Sequence, residues 1–154
     1  MKKIIQLFCA CLFVLNLSGC GEPIEDTNGE NNTSLNTITD KNIINLDLGA
    51  SGLGYSETNL GGFQSKEYSS KNFNGVEQIY LTNFIGKSDV FVYVGHLNVK
   101  SGNFKIAIIN DDKIIKEIPN DAFNEEFFFE DLVGTFAIHV AGESANVEFH
   151  IDVY

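Results

Sequence analysis

Apolar and polar residues alternate in short runs from Asn42 to the end of the chain, and Gly, Asn and Asp separate the runs. Alternation with period two is typical of β-strands, and no segment repeats apolar residues at the i, i+3, i+4 spacing of an amphipathic helix. The pattern predicts strands near residues 43–48, 63–69, 76–85, 89–99, 102–110, 113–118, 126–130, 134–141 and 145–153.

Short strands separated by turn signals predict an all-β domain, an antiparallel β-sandwich of jelly-roll or immunoglobulin-like type with about 8–9 strands. The glycine-rich stretch from Gly49 to Gly62 is predicted to be a surface loop. Asn74-Gly75 and Asp111-Asp112 are candidate hairpin turns, because these residue types tolerate the backbone angles of tight turns.

The last two predicted strands have the clearest alternation. A tight turn at Glu143-Ser144 would pair Ile138 with Phe149 and Val140 with Val147. The apolar side chains of both strands would then share one face, because side chains on a strand alternate between faces. We therefore expect a hairpin here, with its polar residues on the opposite, exposed face.

The chain begins with Lys2-Lys3, followed by an apolar run from Ile4 to Leu17. This run has about 14 residues, fewer than the roughly 20 that a membrane-spanning helix needs. A short apolar run behind lysines and before small residues is typical of a secretory signal peptide. The sequence therefore predicts an exported protein.

Leu17-Ser18-Gly19-Cys20 resembles the lipobox of bacterial lipoproteins. The resemblance implies that residues 1–19 are a signal peptide that is removed and that Cys20 becomes an N-terminus carrying acyl chains such as palmitate. The residue after the cysteine is Gly21, and not the Asp that resembles an inner-membrane retention signal of Gram-negative lipoproteins. The implied location is the outer membrane of a Gram-negative cell, or the outer face of the cytoplasmic membrane of a Gram-positive cell. The alternatives are an ordinary secreted protein and a transmembrane anchor.

Residues 20–41 are almost all small, polar or acidic after the cysteine. Such a segment cannot bury enough apolar surface to offset the entropy lost on ordering. We therefore expect a lipidated N-terminus and flexible tether over residues 20–41, with the β domain over residues 42–154. Cys9 and Cys11 would leave with the signal peptide, so the exported domain would have no disulfide.

The net charge of −11 and the absence of arginine restrict the partners of the chain. An acidic surface repels nucleic acid, and the chain has no arginine that could bind phosphate in a bidentate manner. The same charge disfavours docking on anionic headgroups, so attachment to a membrane would depend on the lipid at Cys20.

The predicted C-terminal hairpin would place His139 opposite Glu148, with His150 two residues further along the same face. Two imidazoles and a carboxylate at this separation are candidate ligands for Zn²⁺. Asp152 lies on the same face but further away, and His96 would be a further candidate ligand only if its strand lay nearby. A solvated sheet face, on which His and Glu are common, is the competing interpretation.

Acidic residues also concentrate between Asp111 and Asp131, and carboxylates on loops are the ligands that Ca²⁺ prefers. Their spacing does not match an EF-hand, so a solvated acidic edge competes with a calcium site. Phe127-Phe128-Phe129 and four tyrosines suggest a carbohydrate-binding surface, against which stand the absence of Trp and the alternative that both strand faces are packed. The tyrosines are Tyr55, Tyr68, Tyr80 and Tyr93.

No catalytic motif is found: the only cysteine expected to remain is Cys20, and no G-x-S-x-G nucleophile elbow or phosphate loop occurs. The sequence therefore predicts a lipid-anchored, non-enzymatic binding or accessory module of the cell envelope. Its partner would be an envelope protein or polysaccharide, and no resident cofactor is expected. The alternative is an exported protein that binds Zn²⁺ or Ca²⁺ through His139, Glu148 and His150.

Overall fold

A computed structural model of the chain describes residues 38–60 and 63–154. They form a short helix, α1 (Asp40–Asn45), and the strands β1 (Gly54–Leu60), β2 (Phe63–Asn110), β3 (Lys113–Ile118) and β4 (Phe123–Val153). All paired strands are antiparallel, which confirms the prediction of a mainly antiparallel β structure. These residues fall within one compact unit, Leu35–Tyr154.

The two long strands, β2 and β4, pair with each other in several places. Residues 147–153 of β4 lie between residues 64–70 and residues 92–99 of β2. Residues 136–142 of β4 likewise lie between residues 75–82 and residues 104–110 of β2. Much of β4 is therefore hydrogen-bonded along both edges, while β1 and β3 each pair with β2 alone.

This pairing contradicts the predicted C-terminal hairpin. Glu143 and Ser144 do not form a turn between two strands but lie inside β4, where Ser144 has a positive φ of 50°. Ile138 pairs with residues of β2 rather than with Phe149. The prediction was wrong because both edges of β4 are occupied by β2, and the apolar alternation of a strand does not indicate which strand lies beside it.

The main hydrophobic core is built by the large side chains of β2 and β4. Phe149 is fully buried, and its ring stacks on that of Tyr68 with centroids 4.5 Å apart. The centroid of the Phe104 ring lies 5.4 Å from that of Phe149. Because interiors are close-packed, these rings fix the positions of the strands that carry them.

A second, smaller core lies beside α1. Ile43 is fully buried there among Val76, Ala107, Ile109, Ala137 and Ala141. Residues 136–141 of β4 are consequently buried on both faces, since Phe136, Ile138 and Val140 belong to the main core. The small alanine side chains leave room for the isoleucine of the helix.

The predicted strand at 43–48 is wrong, because residues 40–45 are helical. Thr39 caps the helix, with its hydroxyl oxygen accepting a hydrogen bond from the backbone N–H of Asn42 at 3.3 Å. Leu46, with φ of 54°, ends it. Asp40 forms an ion pair with Lys105 of β2, with 3.5 Å between the charged atoms.

The predicted loop from Gly49 to Gly62 is also wrong in part, since Gly54–Leu60 is strand β1 and pairs with Phe63–Ser69. The hairpin turn at Asp111-Asp112 is confirmed by the pairing of Asn110 with Lys113. The one predicted at Asn74-Gly75 is wrong, because these residues lie within β2.

Residues 1–19 and Cys20 lie outside the described residues, so signal peptide and lipidation remain predictions, as does nearly all of the tether. Over residues 38–60 and 63–154, no helix has the length and apolar character needed to cross a membrane.

Candidate functional site

One face formed by β2 and β4 carries a row of four aromatic side chains on neighbouring strand segments. The ring centroids of Phe63 and Tyr154 are 5.9 Å apart, those of Tyr154 and Phe91 are 5.5 Å apart, and those of Phe91 and Phe128 are 4.3 Å apart. We call these four residues the aromatic row. Phe128 is 45% exposed and Tyr154 is 47% exposed, so the row contributes apolar surface to the outside of the domain.

The register of the strands sets this row. Phe91 and Tyr154 exchange both backbone hydrogen bonds, with N–O distances of 2.8 and 3.1 Å, and Phe91 is also the pairing partner of Phe128. The Phe91 ring is within 8° of parallel to Tyr154 and within 22° of parallel to Phe128. Offset stacking of this kind stabilises cross-strand aromatic pairs.

Polar groups flank the aromatic row. The hydroxyl of Tyr93 donates to Oδ1 of Asn124 at 2.8 Å, and the hydroxyl of Tyr154 donates to Glu126. The hydrogen bond to Glu126 raises the pKa of the Tyr154 phenol above its usual value. The face therefore combines apolar rings with hydroxyl, amide and carboxylate groups.

Three potential metal ligands lie beside the aromatic row: Glu67, His96 and His150, which we call the His–Glu cluster. One ligand atom from each residue lies within 4.8 Å of those of the other two. Nε2 of His96 is 3.2 Å from Oε1 of Glu67, and the two imidazole centroids are 6.3 Å apart. In the described part of the chain, no other set of three or more His, Cys, Asp or Glu side chains meets this condition.

His150 is held in place by its neighbours. Its Nε2 lies 2.7 Å from Oδ1 of Asp152 and 3.1 Å from Oγ of Ser65. Its Nδ1 lies over Gly95, where a Cβ atom would come within 2.6 Å of that nitrogen. The His150 imidazole can therefore lie at this point on the sheet only because residue 95 is a glycine.

The structure does not bring together the three ligands predicted from the sequence. His139 is buried, and its Nδ1 lies 2.7 Å from the carbonyl oxygen of Ile43. Glu148 is exposed and forms an ion pair with Lys100 at 2.6 Å, and the hydrogen bond from this lysine lowers the pKa of the carboxyl group. Of the three predicted ligands, only His150 belongs to the His–Glu cluster.

The prediction of the three ligands was wrong for a physical reason. His139 was expected on an exposed face because it alternates with apolar residues, but α1 covers that face. The other two members of the cluster, Glu67 and His96, lie on separate segments of β2. His96 pairs with His150, and Glu67 pairs with the other edge of the same residue. Only the order of the strands could have indicated this set.

The acidic residues between Asp111 and Asp131 do not converge on one site. Oδ1 of Asp111 accepts the backbone N–H of Thr135 at 2.9 Å, and Asp131 forms an exposed ion pair with Lys87 at 2.7 Å. These carboxylates therefore stabilise local turns and surface contacts in the part of the chain that the structure describes.

The three consecutive phenylalanines divide between the two faces of their strand. Phe127 and Phe129 pack against the main core, whereas Phe128 belongs to the exposed aromatic row. Tyr68 is buried, and burial raises the pKa of its hydroxyl group. Of the four tyrosines considered from the sequence, Tyr93 lies beside the aromatic row.

No known family model matches the chain, and no significant similarity to a curated protein is found.

Proposed function

We propose that the protein is a lipoprotein that displays a β domain on a membrane surface, and that the domain binds an uncharged polysaccharide of the cell envelope on the aromatic row. The partly exposed row Phe63, Tyr154, Phe91 and Phe128 is the observation that carries the proposal. The anchor would be lipid on Cys20, and the tether would allow the domain to reach the polymer.

The dimensions of the row fit an extended chain. Four neighbouring strands at a spacing of about 4.8 Å give a row about 14 Å long. Phe128 contacts Phe91 on one side and is half exposed, which supports stacking of a sugar ring on it. Hydroxyl, amide and carboxylate groups of Tyr93, Asn124 and Glu126 can exchange hydrogen bonds with sugar hydroxyls.

Charge restricts the class of polymer. The chain has a net charge of −11, and Glu126 and Asp152 lie beside the row. An anionic polymer would be repelled by these groups. An uncharged sugar chain is therefore favoured over an acidic one, and the proposed activity is binding without catalysis.

We also propose that the long strands fold over into the two layers of a jelly-roll sandwich. In support, one group of paired segments contains residues 64–70, 147–153 and 92–99, and another contains residues 75–82, 136–142 and 104–110. Phe104 belongs to the second group and Phe149 to the first, yet their rings are 5.4 Å apart. Nuclear Overhauser contacts between these rings in solution would test the layered arrangement, and their absence would contradict it.

The binding proposal is tested by co-sedimentation with chitin, an insoluble and uncharged chain of N-acetylated sugars. We expect the chain, purified in detergent, to sediment with the chitin and Phe128→Ala to reduce the bound fraction at least tenfold. Phe123→Ala is the matched control, because Phe123 is 67% exposed in the same segment but is not part of the row. Equal loss in both variants, or no loss in either, would exclude the aromatic row as the binding surface.

The anchor is tested separately in cells. Cys20→Ala should move the protein from the membrane fraction to a soluble or uncleaved form, because the lipobox would have no cysteine to accept lipid. Cys9→Ala is the control, since that residue lies in the predicted signal peptide. A Cys20→Ala protein that is cleaved and still stays with membranes through detergent-free washes would overturn the lipoprotein assignment.

A further inference from the structure

We propose that Glu67, His96 and His150 form a binding site for Zn²⁺. This site is a different set of residues from the one that the sequence predicted, and it does not depend on the proposed binding of a polysaccharide. Its members come from three strand segments that the pairing of β2 with β4 places side by side.

The distances fit a zinc ion. Zinc bonds of about 2.0–2.1 Å to imidazole nitrogen and about 2.0–2.2 Å to carboxylate oxygen place tetrahedral ligand atoms about 3.3 Å apart. His96 Nε2 and Glu67 Oε1 are already 3.2 Å apart. The remaining ligand atom lies within 4.8 Å, so a small side-chain movement completes the site.

His150 has the outer-shell support that is typical of metal-bound histidines. Such residues donate one ring N–H to a carboxylate and bind the metal through the other nitrogen. Nε2 of His150 donates to Asp152 at 2.7 Å, so the ion would be bound through the lone pair on Nδ1. This nitrogen lies over Gly95, and the ring would turn away from the glycine to meet the ion. Ser65 lies 3.1 Å from the same Nε2 and further restricts the ring.

The donor set selects the class of metal. Two imidazoles and one carboxylate suit Zn²⁺, whereas Ca²⁺ takes six to eight oxygen ligands and Mg²⁺ demands an octahedron of oxygens. Glu67 is exposed and both histidines are partly exposed, so the ion can enter from solvent.

Three protein ligands leave the fourth tetrahedral position of a zinc ion for a water molecule or an added ligand. Tyr93, beside the aromatic row, has its ring centroid 6.4 Å from that of His150. The ion would therefore lie next to the aromatic row, where it could also contact a molecule bound there.

Isothermal titration of the full chain in detergent with zinc chloride tests the site. We expect one zinc ion per chain, and no saturable heat with calcium chloride under the same conditions. His96→Ala and His150→Ala should each weaken zinc binding more than a hundredfold, because each removes a direct ligand. Asp152→Asn should weaken it by about 10–100-fold, the range for loss of an outer-shell partner.

Glu117→Gln is the matched control. This carboxylate is as exposed as Glu148, lies on β3 and forms an ion pair with Lys105 at 2.9 Å instead of contacting the cluster. Zinc affinity should be unchanged in this variant, and far-UV circular dichroism should show that every variant is folded.

The unmodified chain provides a second readout that does not depend on folding of the variants. With Co²⁺ in place of Zn²⁺, we expect the intense visible absorption of a tetrahedral site. The weak spectrum of hydrated, octahedral cobalt would overturn the proposal. Absence of saturable zinc binding, or unchanged binding in both histidine variants, would overturn it as well.

Discussion

The Nδ1–H of His139 donates a hydrogen bond to the carbonyl oxygen of Ile43 at 2.7 Å, although the two residues are 96 positions apart in the chain. A carbonyl oxygen only accepts, which assigns the proton to Nδ1 and the lone pair to Nε2. That Nε2 is buried and has no hydrogen-bond partner among the described residues. The imidazole therefore attaches α1 to β4 in its neutral form.

Loss of this hydrogen bond should destabilise the domain. In His139→Ala the carbonyl of Ile43 loses its imidazole partner and a cavity forms, so we expect the free energy of unfolding to fall by about 1–3 kcal/mol. Urea unfolding in the presence of EDTA measures this free energy. His96→Ala is the comparison, and it should change stability by no more than about 0.5 kcal/mol because His96 is partly exposed. Equal losses in the two variants would contradict the role of the buried contact.

The stability of the domain should also depend on pH through His139. Burial lowers the pKa of this imidazole below its usual 6.5, and the hydrogen bond to Ile43 only partly opposes this effect. Below pH 6.5 the unfolded chain therefore binds a proton that the folded chain does not. The contribution of His139 to stability is fully present above pH 6.5 and decreases as the pH falls towards the lowered pKa.

Unfolding free energies measured at pH 7.5 and pH 5 would reveal this difference. In His139→Gln the amide can still donate to the carbonyl but does not titrate, so the loss of stability at pH 5 should be smaller than in the unmodified chain. An identical loss in both proteins would assign the acid sensitivity to other groups.

Position 75 requires glycine for two reasons, its backbone conformation and the close approach of another backbone segment. Its φ is 99°, and a Cβ atom at this position would lie 1.9 Å from the carbonyl oxygen of Gly49. We expect Gly75→Ala to lower stability by more than about 1 kcal/mol, since alanine is strained at positive φ even without a clash. Gly86→Ala is the control, because nothing lies within 4 Å of a Cβ there. Thermal melts of both variants test this, and a neutral Gly75→Ala would show that the backbone can move.

The central aromatic stack should dominate core stability. Phe149 is fully buried against Tyr68, so Phe149→Ala should cost about 3–5 kcal/mol of unfolding free energy. The exposed Phe123 provides the same substitution outside the core, where we expect a change of about 0.5 kcal/mol or less. Denaturant unfolding of the two variants gives the comparison, and a small effect at Phe149 would contradict the stacked core.

The alternation of residues was sufficient to predict the β class and most of the extended residues, because period two depends only on the strand and the surface that it covers. It did not predict the strand boundaries, since four of the predicted strands fall within β2 and three within β4. The residue types at Asp111-Asp112, rather than the alternation, located that hairpin turn. The alternation failed at 43–48, where Thr39 and Leu46 cap a short helix whose apolar residues are too few to show a helical period. It failed at 54–60 because that edge strand is mostly polar.

The candidate sites could be predicted only in part for a related reason. The sequence indicated Phe127-Phe128-Phe129 as a candidate carbohydrate-binding surface but did not decide which ring is exposed, and the stacking of Phe128 on Phe91 depends on which strands are adjacent. The His–Glu cluster likewise requires residues 67, 96 and 150 to meet across strands distant in sequence. His139 was predicted to be exposed because nothing in the sequence of β4 indicates that α1 covers it.

Residues 147–153 lie between residues 64–70 and residues 92–99. The central strand of this group of three is therefore distant in sequence from both of its neighbours. Contacts between distant segments form slowly, because the intervening chain must first lose entropy. A chain from which this segment is missing, during synthesis or passage through a translocation channel, lacks the partner of two strands at once. We therefore expect it to stay open and accessible to proteases, and the protein to become resistant in a single late step.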